Sequence, residues 1–335
     1  MEVLQGGKDI GASALIFLKW KRLYDGLHEK PAVYGASYGD YTAGQNRQNS
    51  MTPAPVDQVV ASMPVTAKQS PPLFSLTGRA IAITGGGRGL GLTLAFAVVE
   101  AGAHVTCLDI LPEPSQPEWS QLRAAAKAQA VTVSYQRCDV TAESEVEDVM
   151  RAIADDAMSK GAVFGGVIAC AGIQQKIPAV DYPAADFERI LRVNTTGVFI
   201  TAKYAARTMI EHKVRGSIVL ISSMSGQIAN RGLTCTAYNS SKAAVQQMCR
   251  SLAQEWGHNG IRVNTLSPGY IRTAMTDELL AAEPEVEKTW MAGALLGRLG
   301  VPEDFKAPAL FLLADGSSFM TGADLRVDGG HCASA

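Results

Sequence analysis

Three side chains carry chemistry that the rest of the chain must position. Tyr238 and Lys242 stand four residues apart in Tyr238-Asn239-Ser240-Ser241-Lys242, inside a helix-like segment running to about Gly257. Residues at i and i+4 share one helix face, so the phenol and the ammonium emerge together. A neighbouring positive charge favours the phenolate. The expectation is a tyrosine pKa drawn from about 10 toward neutrality, in the range of an acid/base for an alcohol–ketone pair. A Tyr and a Lys at this spacing are, taken alone, ordinary surface neighbours. Ser223 adds weight because it ends the apolar run Ile218-Val219-Leu220-Ile221. In open α/β sheets ligands bind beyond the carboxyl ends of the strands, where this hydroxyl can hold a substrate oxygen facing Tyr238. As a plain turn residue it would instead bond its own backbone.

Such a site needs a sheet behind it. From Leu73 onward, short apolar runs alternate with helix-length stretches: 80–84, 105–109, 131–135, 166–171, 217–222, 261–266 and 325–328. Strands that are apolar nearly throughout, with helices between them, indicate a parallel sheet covered on both faces. The fold class expected is α/β: one doubly wound domain of the Rossmann type over 73–335, with a mainly parallel seven-stranded sheet.

The first strand leads into Thr84-Gly85-Gly86-Gly87-Arg88-Gly89-Leu90-Gly91 and then into a helix-like stretch. Glycines at a strand-to-helix turn let the backbone approach a pyrophosphate, whose charge the helix N-terminus stabilises. A glycine cluster alone is weak; the strand before it, the helix after it and Asp109 at the end of the second strand supply the context. The Asp109 carboxylate can accept from both adenosine ribose hydroxyls and would repel a 2′-phosphate, so NAD(H) is favoured. Arg88 keeps NADP(H) open, because a guanidinium in this turn could pair with that phosphate; otherwise it is a solvated loop charge. Asp139, followed by Val140, either bonds the adenine amino group or caps a helix beginning near Thr141.

On these residues the chain from about Leu73 to Gly330 resembles the short-chain dehydrogenase/reductase family. Its motifs occur in family order: T-G-x-x-x-G-x-G as Thr84 to Gly91, N-A-G as Cys170-Ala171-Gly172, the asparagine as Asn194, then Ser223, Y-x-x-x-K as Tyr238 and Lys242, and the P-G turn as Pro268-Gly269-Tyr270-Ile271-Arg272-Thr273. The resemblance implies that Tyr238 gives and takes the proton. Lys242 would bind the nicotinamide ribose, Ser223 orient the carbonyl, and Asn194 hold a water that links Lys242 to solvent. Gly85, Gly89, Leu90, Gly91, Val140, Ala171, Gly172, Pro268, Gly269, Ile271 and Thr273 would line the dinucleotide. Asn194 could instead repair a helix kink. Two departures stand out: Cys170 replaces the usual asparagine, weakening a bond that steadies the central sheet, and Ser223 lies 15 residues before Tyr238. Ser225 is an alternative hydroxyl, though the family register favours Ser223.

The stretch Ser223 to Asn230 resembles fungal polyol and ketose reductases of the mannitol, arabinitol and sorbose type. Substrate contacts are expected from 276–297 and from Gln174, Gln175, Gln227, Asn230 and Tyr270. Their amides suit a hydroxylated substrate, whereas Leu279, Leu280, Trp290, Met291, Leu295 and Leu296 could form an apolar lid for a larger ketone, as in a secondary-metabolite ketoreductase. A dinucleotide-binding redox sensor without turnover is the alternative of another class. The resemblance also implies a homodimer or homotetramer joined through the helices that carry Asn194 and Tyr238.

Composition bounds the rest. Of 335 residues 47% are hydrophobic, and 30 basic side chains face 32 acidic ones, so neither a disordered chain nor a nucleic-acid or anionic-membrane binder is indicated. Six cysteines without C-x-x-C pairing or histidines at finger spacing fit a reducing compartment, with no structural metal expected. No apolar run approaches the ~20 residues of a membrane span. The N-terminus lacks secretory character, so the expected location is the cytoplasm. Residues 1–72, rich in Gly, Ser, Thr, Gln, Asn and Pro after Pro31, read as a low-order extension with one short amphipathic helix at 10–27. Met51 and Met63 leave room for a later start.

Overall fold

The computed structural model describes residues 71–273, 276, 280–281 and 283–334. The N-terminal extension and Leu279 lie outside the described residues, apart from Pro71 and Pro72 at the edge of the extension. All described residues fall within one compact unit, 66–335.

Seven strands form the sheet: β1 (Arg79–Thr84), β2 (His104–Asp109), β3 (Val133–Arg137), β4 (Val163–Ala169), β5 (Ser217–Ile221), β6 (Arg262–Pro268) and β7 (Asp324–Val327). Their order is β3-β2-β1-β4-β5-β6-β7, and every pairing is parallel. Between them run α1 (Gly89–Glu100), α2 (Glu118–Ala128), α3 (Glu143–Ser159), α4 (Ala184–Leu191), α5 (Val198–Glu211), α6 (Thr236–Trp256), α7 (Pro284–Gly293) and α8 (Lys306–Leu313). The doubly wound arrangement expected from the apolar runs is the one found.

The strands read as unbroken apolar runs because both faces are covered. Along β4, Val167 and Ala169 join a core with α3, α5 and α6, while Ile168 between them joins a second core with α1, α2 and α8. Chain order reverses between β1 and β4, and that switch point opens a crevice at their carboxyl ends. The glycine turn after β1 and Cys170-Ala171-Gly172 after β4 sit there.

Strand limits differ from the expected ones most at β4, which runs Val163–Ala169 where 166–171 is expected; β3 also starts late, at Val133 and not at Val131. Ala130 takes a left-handed φ of 55° and Val131 N–H donates back to the Ala126 carbonyl, so the chain is still turning out of α2 at that point. Among the described residues no helix is long and apolar enough to cross a membrane.

Ile168 is fully buried between strands and helices. Ile168→Ala should cost ~2–5 kcal/mol and lower the urea midpoint without changing the slope of the transition.

Candidate active site

β5 ends at Ile221, and the chain continues as Ser222, Ser223 and a short turn at Met224–Gly226. α6 lies directly against this exit. Lys242 Nζ donates to the Ile221 carbonyl at 2.9 Å, and Ser222 Oγ donates to the Lys242 carbonyl at 2.9 Å. Lys242 is 4% exposed, and its Nζ lies 5.5 Å from the centroid of the Tyr238 ring. Ser223 is buried, its Oγ accepts from Ser225 N–H at 3.1 Å, and its hydroxyl lies close enough to the Tyr238 phenol to favour the phenolate. Ser223, Tyr238 and Lys242 are therefore brought together; Ser225 is buried in the turn behind them.

The electrostatics depart from the sequence-based expectation. Burial pushes Tyr238 up to about 12, opposed by the Ser223 hydroxyl. Burial also pulls Lys242 down to about 8. The ammonium donates to the Ile221 carbonyl and lies over the ring face, 5.5 Å from its centroid, and removal from water dominates the phenol. At neutral pH the pair is a protonated phenol beside a buried ammonium.

Asn194 lies in a π-helical turn, Arg192–Gly197, between α4 and α5. Such turns insert an extra residue into a helix and recur at functional sites. Its Oδ1 accepts from Ile173 N–H at 2.8 Å, and its Nδ2 donates to the Ile173 carbonyl at 2.8 Å and to Ser241 Oγ at 3.1 Å. Both amide protons are thus committed, and the side chain ties the segment after β4 to α6. Cys170 sits where an asparagine amide is usual, and the bonding there falls to Thr84, whose Oγ1 accepts from Cys170 and Ala171 N–H at 3.2 and 3.3 Å.

The glycine turn fits a dinucleotide. A Cβ on Gly91 would stand 2.1 Å from the Gly85 carbonyl oxygen, so only glycine lets α1 start against the turn. Gly89 has a φ of +54° and no heavy atom within 4 Å of a Cβ position, which leaves open space at the helix N-terminus. Leu90 is half-buried and packs on the second core, and Arg88 is exposed beside it. Asp109 accepts from Gly87 N–H at 3.0 Å and from Leu111 N–H at 3.2 Å, which fixes the carboxylate at the end of β2 with lone pairs to spare. Asp139 Oδ1 accepts from Thr141 N–H and Oγ1, and α3 begins only at Glu143, so Asp139 closes a side-chain turn ahead of the helix. Val140 packs against Gly197 of the π turn. Ala171 lies against Gly85, and Gly172 is exposed within reach of Asn194 and Lys242.

Across the crevice, Pro268 ends β6 and Gly269 fits closely against Asp328. Ile271 bridges to Gly300, and Thr273 N–H donates to Thr276 Oγ1 at 2.6 Å. Tyr270 stacks on Trp290 of α7 with centroids 4.0 Å apart, and its hydroxyl accepts from Asn230 Nδ2 at 3.0 Å. Leu280, Val286, Trp290 and Leu299 form a small apolar cluster, with Met291 packed against it. Leu295 and Leu296 are exposed. Gln174 is exposed, and Gln175 Oε1 accepts from Arg189. Gln227 turns to β7, where its amide donates to Asp324 and accepts from Arg326 Nη1. Sequence reasoning passed over Gln246, which is 7% exposed and contacts the Ser223 carbonyl. The signal available was a polar residue two turns beyond Tyr238 on the same helix face.

Fold and comparisons together define the class as a dinucleotide-dependent oxidoreductase. The family model described as Enoyl-(Acyl carrier protein) reductase matches residues 85–331. The chain belongs to the short-chain dehydrogenase/reductase family and is an NAD(P)-dependent enzyme acting on CH–OH groups. It is 47% identical to the short chain dehydrogenases/reductase notP′ of Aspergillus versicolor, over 78% of this chain and 89% of that one. It is 36% identical to the ribulose-forming D-arabinitol 2-dehydrogenase of Candida tropicalis, over 78% and 94%. Among solved structures, the NADPH-dependent 3-quinuclidinone reductase of Rhodotorula rubra superposes with a TM-score of 0.71 at 35% identity, over 81% of this chain and 98% of that one.

Lys242 gives a testable sign. It loses its proton near pH 8 when folded and near 10.5 when unfolded, so between these values the unfolded chain binds more protons. The cost of its burial, roughly 3 kcal/mol, is full below pH 8 and is relieved as pH rises to 10.5. Lys242→Met removes that cost and forfeits about 1 kcal/mol at the Ile221 carbonyl. The variant should melt above wild type at pH 7 while losing activity, with the gap closing toward pH 10.

Proposed function

We propose that the chain interconverts a polyol and its ketose, moving a hydride between nicotinamide C4 and a secondary-alcohol carbon, with NAD(H) preferred. The observation that carries the reading is the Ser223–Tyr238–Lys242 group at the carboxyl end of β5, with Ser223 and Lys242 buried and Tyr238 half-buried beside them. Bound in the crevice, the nicotinamide would supply or accept the hydride. This chain's residues do the remainder. The Ser223 hydroxyl holds the substrate oxygen. Tyr238, kept protonated by burial, has the form a proton donor to a carbonyl oxygen requires, and the Lys242 ammonium steadies the phenolate left behind. In alcohol oxidation the same groups act in reverse. Lys242 also faces Gly172, where the nicotinamide ribose would lie.

Support for the substrate class comes from the Asn230–Tyr270 pair, a donor–acceptor couple suited to hydroxyl groups, and from the arabinitol, galactitol and sorbose enzymes among the relatives. A larger apolar ketone is the second reading, favoured by the Tyr270–Trp290 stack and by 47% identity to notP′. Support for NAD(H) is the Asp109 carboxylate, and the exposed Arg88 is the counterweight. For a homodimer or homotetramer, the exposed Phe199 and Ile210 on α5 offer apolar contact. Residues 73–335 would constitute the catalytic domain, working in the cytoplasm.

Purified protein assayed with NADH and NADPH against ketoses and bulky ketones should turn over a ketose with NADH. Turnover of bulky ketones alone would move the substrate to the second reading. Tyr238→Phe should lower kcat by ~100-fold or more while cofactor binding persists; full activity in that variant would remove Tyr238 from the chemistry. Asp109→Ser should shift preference toward NADPH, and an unchanged ratio would contradict the ribose role.

A further inference from the structure

Tyr238, Lys242 and Gln246 recur every four residues along one face of α6, a turn apart. The first two belong to the reacting centre. Gln246 lies beneath it, in a stripe otherwise made of Val245, Cys249 and Leu252. Its Nε2 donates to the Ser223 carbonyl at 3.1 Å and to Ser267 Oγ at 3.2 Å, both contacts buried. Ser267 Oγ in turn donates to Asp324 Oδ1 at 2.5 Å, and Thr265 Oγ1 donates to the same oxygen at 2.6 Å. Asp324 Oδ2 accepts from Gln227, which holds Arg326.

The chain of bonds has one possible direction. A carboxylate only accepts, so the single hydroxyl proton of Ser267 goes to Asp324, and Ser267 Oγ can then only accept from Gln246. Reversing the Gln246 amide would set its oxygen against the Ser223 carbonyl and against the Ser267 lone pairs. The amide is therefore locked by its neighbours, and its two protons join two strand ends that carry different parts of the site. One is the exit of β5, which presents Ser223. The other is the end of β6, where Ser267 precedes the Pro268-Gly269 turn.

We infer that Gln246 is a positioning residue for the reaction, setting the catalytic Ser223 in register with the P-G turn through the Gln246–Ser267–Asp324 chain. The inference rests on the functional reading above. Its physical basis is that hydride and proton transfer need reacting atoms aligned within a fraction of an ångström, and a displacement of about 1 Å can cost ~100-fold in rate. Gln246 touches neither substrate nor cofactor. Its loss should therefore act on kcat and leave cofactor affinity alone.

The test uses the full chain with Gln246→Met, which keeps the length of the side chain and removes both donors. The Ser223 carbonyl still accepts from Gly226 N–H in that variant, so the turn keeps one anchor. The expected result is a fall in kcat of ~10-fold or more, with KM for the cofactor within about 2-fold of wild type. Ser267→Ala should give a smaller fall, and the double variant should lose less than the product of the two, since both cut one chain. A second readout does not depend on turnover. Hydrogen exchange of the Ser225 and Gly226 amides, which bond Ser223 Oγ and Ser223 O, should accelerate in Gln246→Met, with the β1 amides unchanged. Wild-type kcat with unaltered exchange in Gln246→Met would overturn the inference, as would a rise in KM for the cofactor at constant kcat. Should wild type turn over no carbonyl substrate, the functional reading falls and the exchange measurement still decides the role of Gln246.

Discussion

The site depends on how the last residues of β5 are clamped to one face of α6. Where β5 ends at Ile221 and the chain turns through Ser222 and Ser223, side chains of α6 take up the carbonyls at the crevice. Lys242 takes the Ile221 carbonyl, Gln246 takes the Ser223 carbonyl, and Ser222 returns a bond to the helix. These contacts are buried, so each is strong and each would be costly to leave unmade. They hold Tyr238, one turn before Lys242, over the strand exit. An ammonium placed here is expensive for stability, a cost the proposed phenolate on Tyr238 would repay.

Around that clamp the fold supplies two walls. The parallel order places β1 and β4 side by side at the switch point, so the glycine turn and Ala171 lie directly against each other and form one wall. Asn194 braces this wall from a π turn, joining Ile173 to Ser241 on α6. On the far side the P-G turn, Tyr270 and Trp290 stand against the loop that carries Asn230. The Asn194 turn, the β5 exit and the end of β6 all bond α6, so an error in α6 would displace these groups together.

Much of this was legible in the amino-acid sequence, for identifiable reasons. Glycine spacing, a strand-ending Asp109 and Tyr238 with Lys242 are local signals, and the seven apolar runs record a sheet buried on both faces. What escaped depends on tertiary partners. The start of β3 is set by the turn at Ala130, which the apolar Val131 disguises. Gln227 carries the same amide as Asn230 but turns to β7, because Asp324 and Arg326 offer it a carboxylate and a guanidinium. Gln246 gains meaning only when Ser223 and Ser267, from two other strands, meet it. The proton affinity of Tyr238 was misread for a related reason: i, i+4 spacing gives proximity to a charge but not the desolvation that opposes it.

That balance between burial and charge is the central claim, and the ionisation of Tyr238 tests it most directly. The ultraviolet difference titration of wild type against Tyr238→Phe, without cofactor, isolates this phenol from the other tyrosines. Burial predicts no tyrosinate signal from Tyr238 up to pH ~10, the ordinary range for tyrosine, with ionisation deferred toward 12. A tyrosinate appearing near pH 7 in the bare protein would show that the Lys242 ammonium governs the site, and would contradict the account.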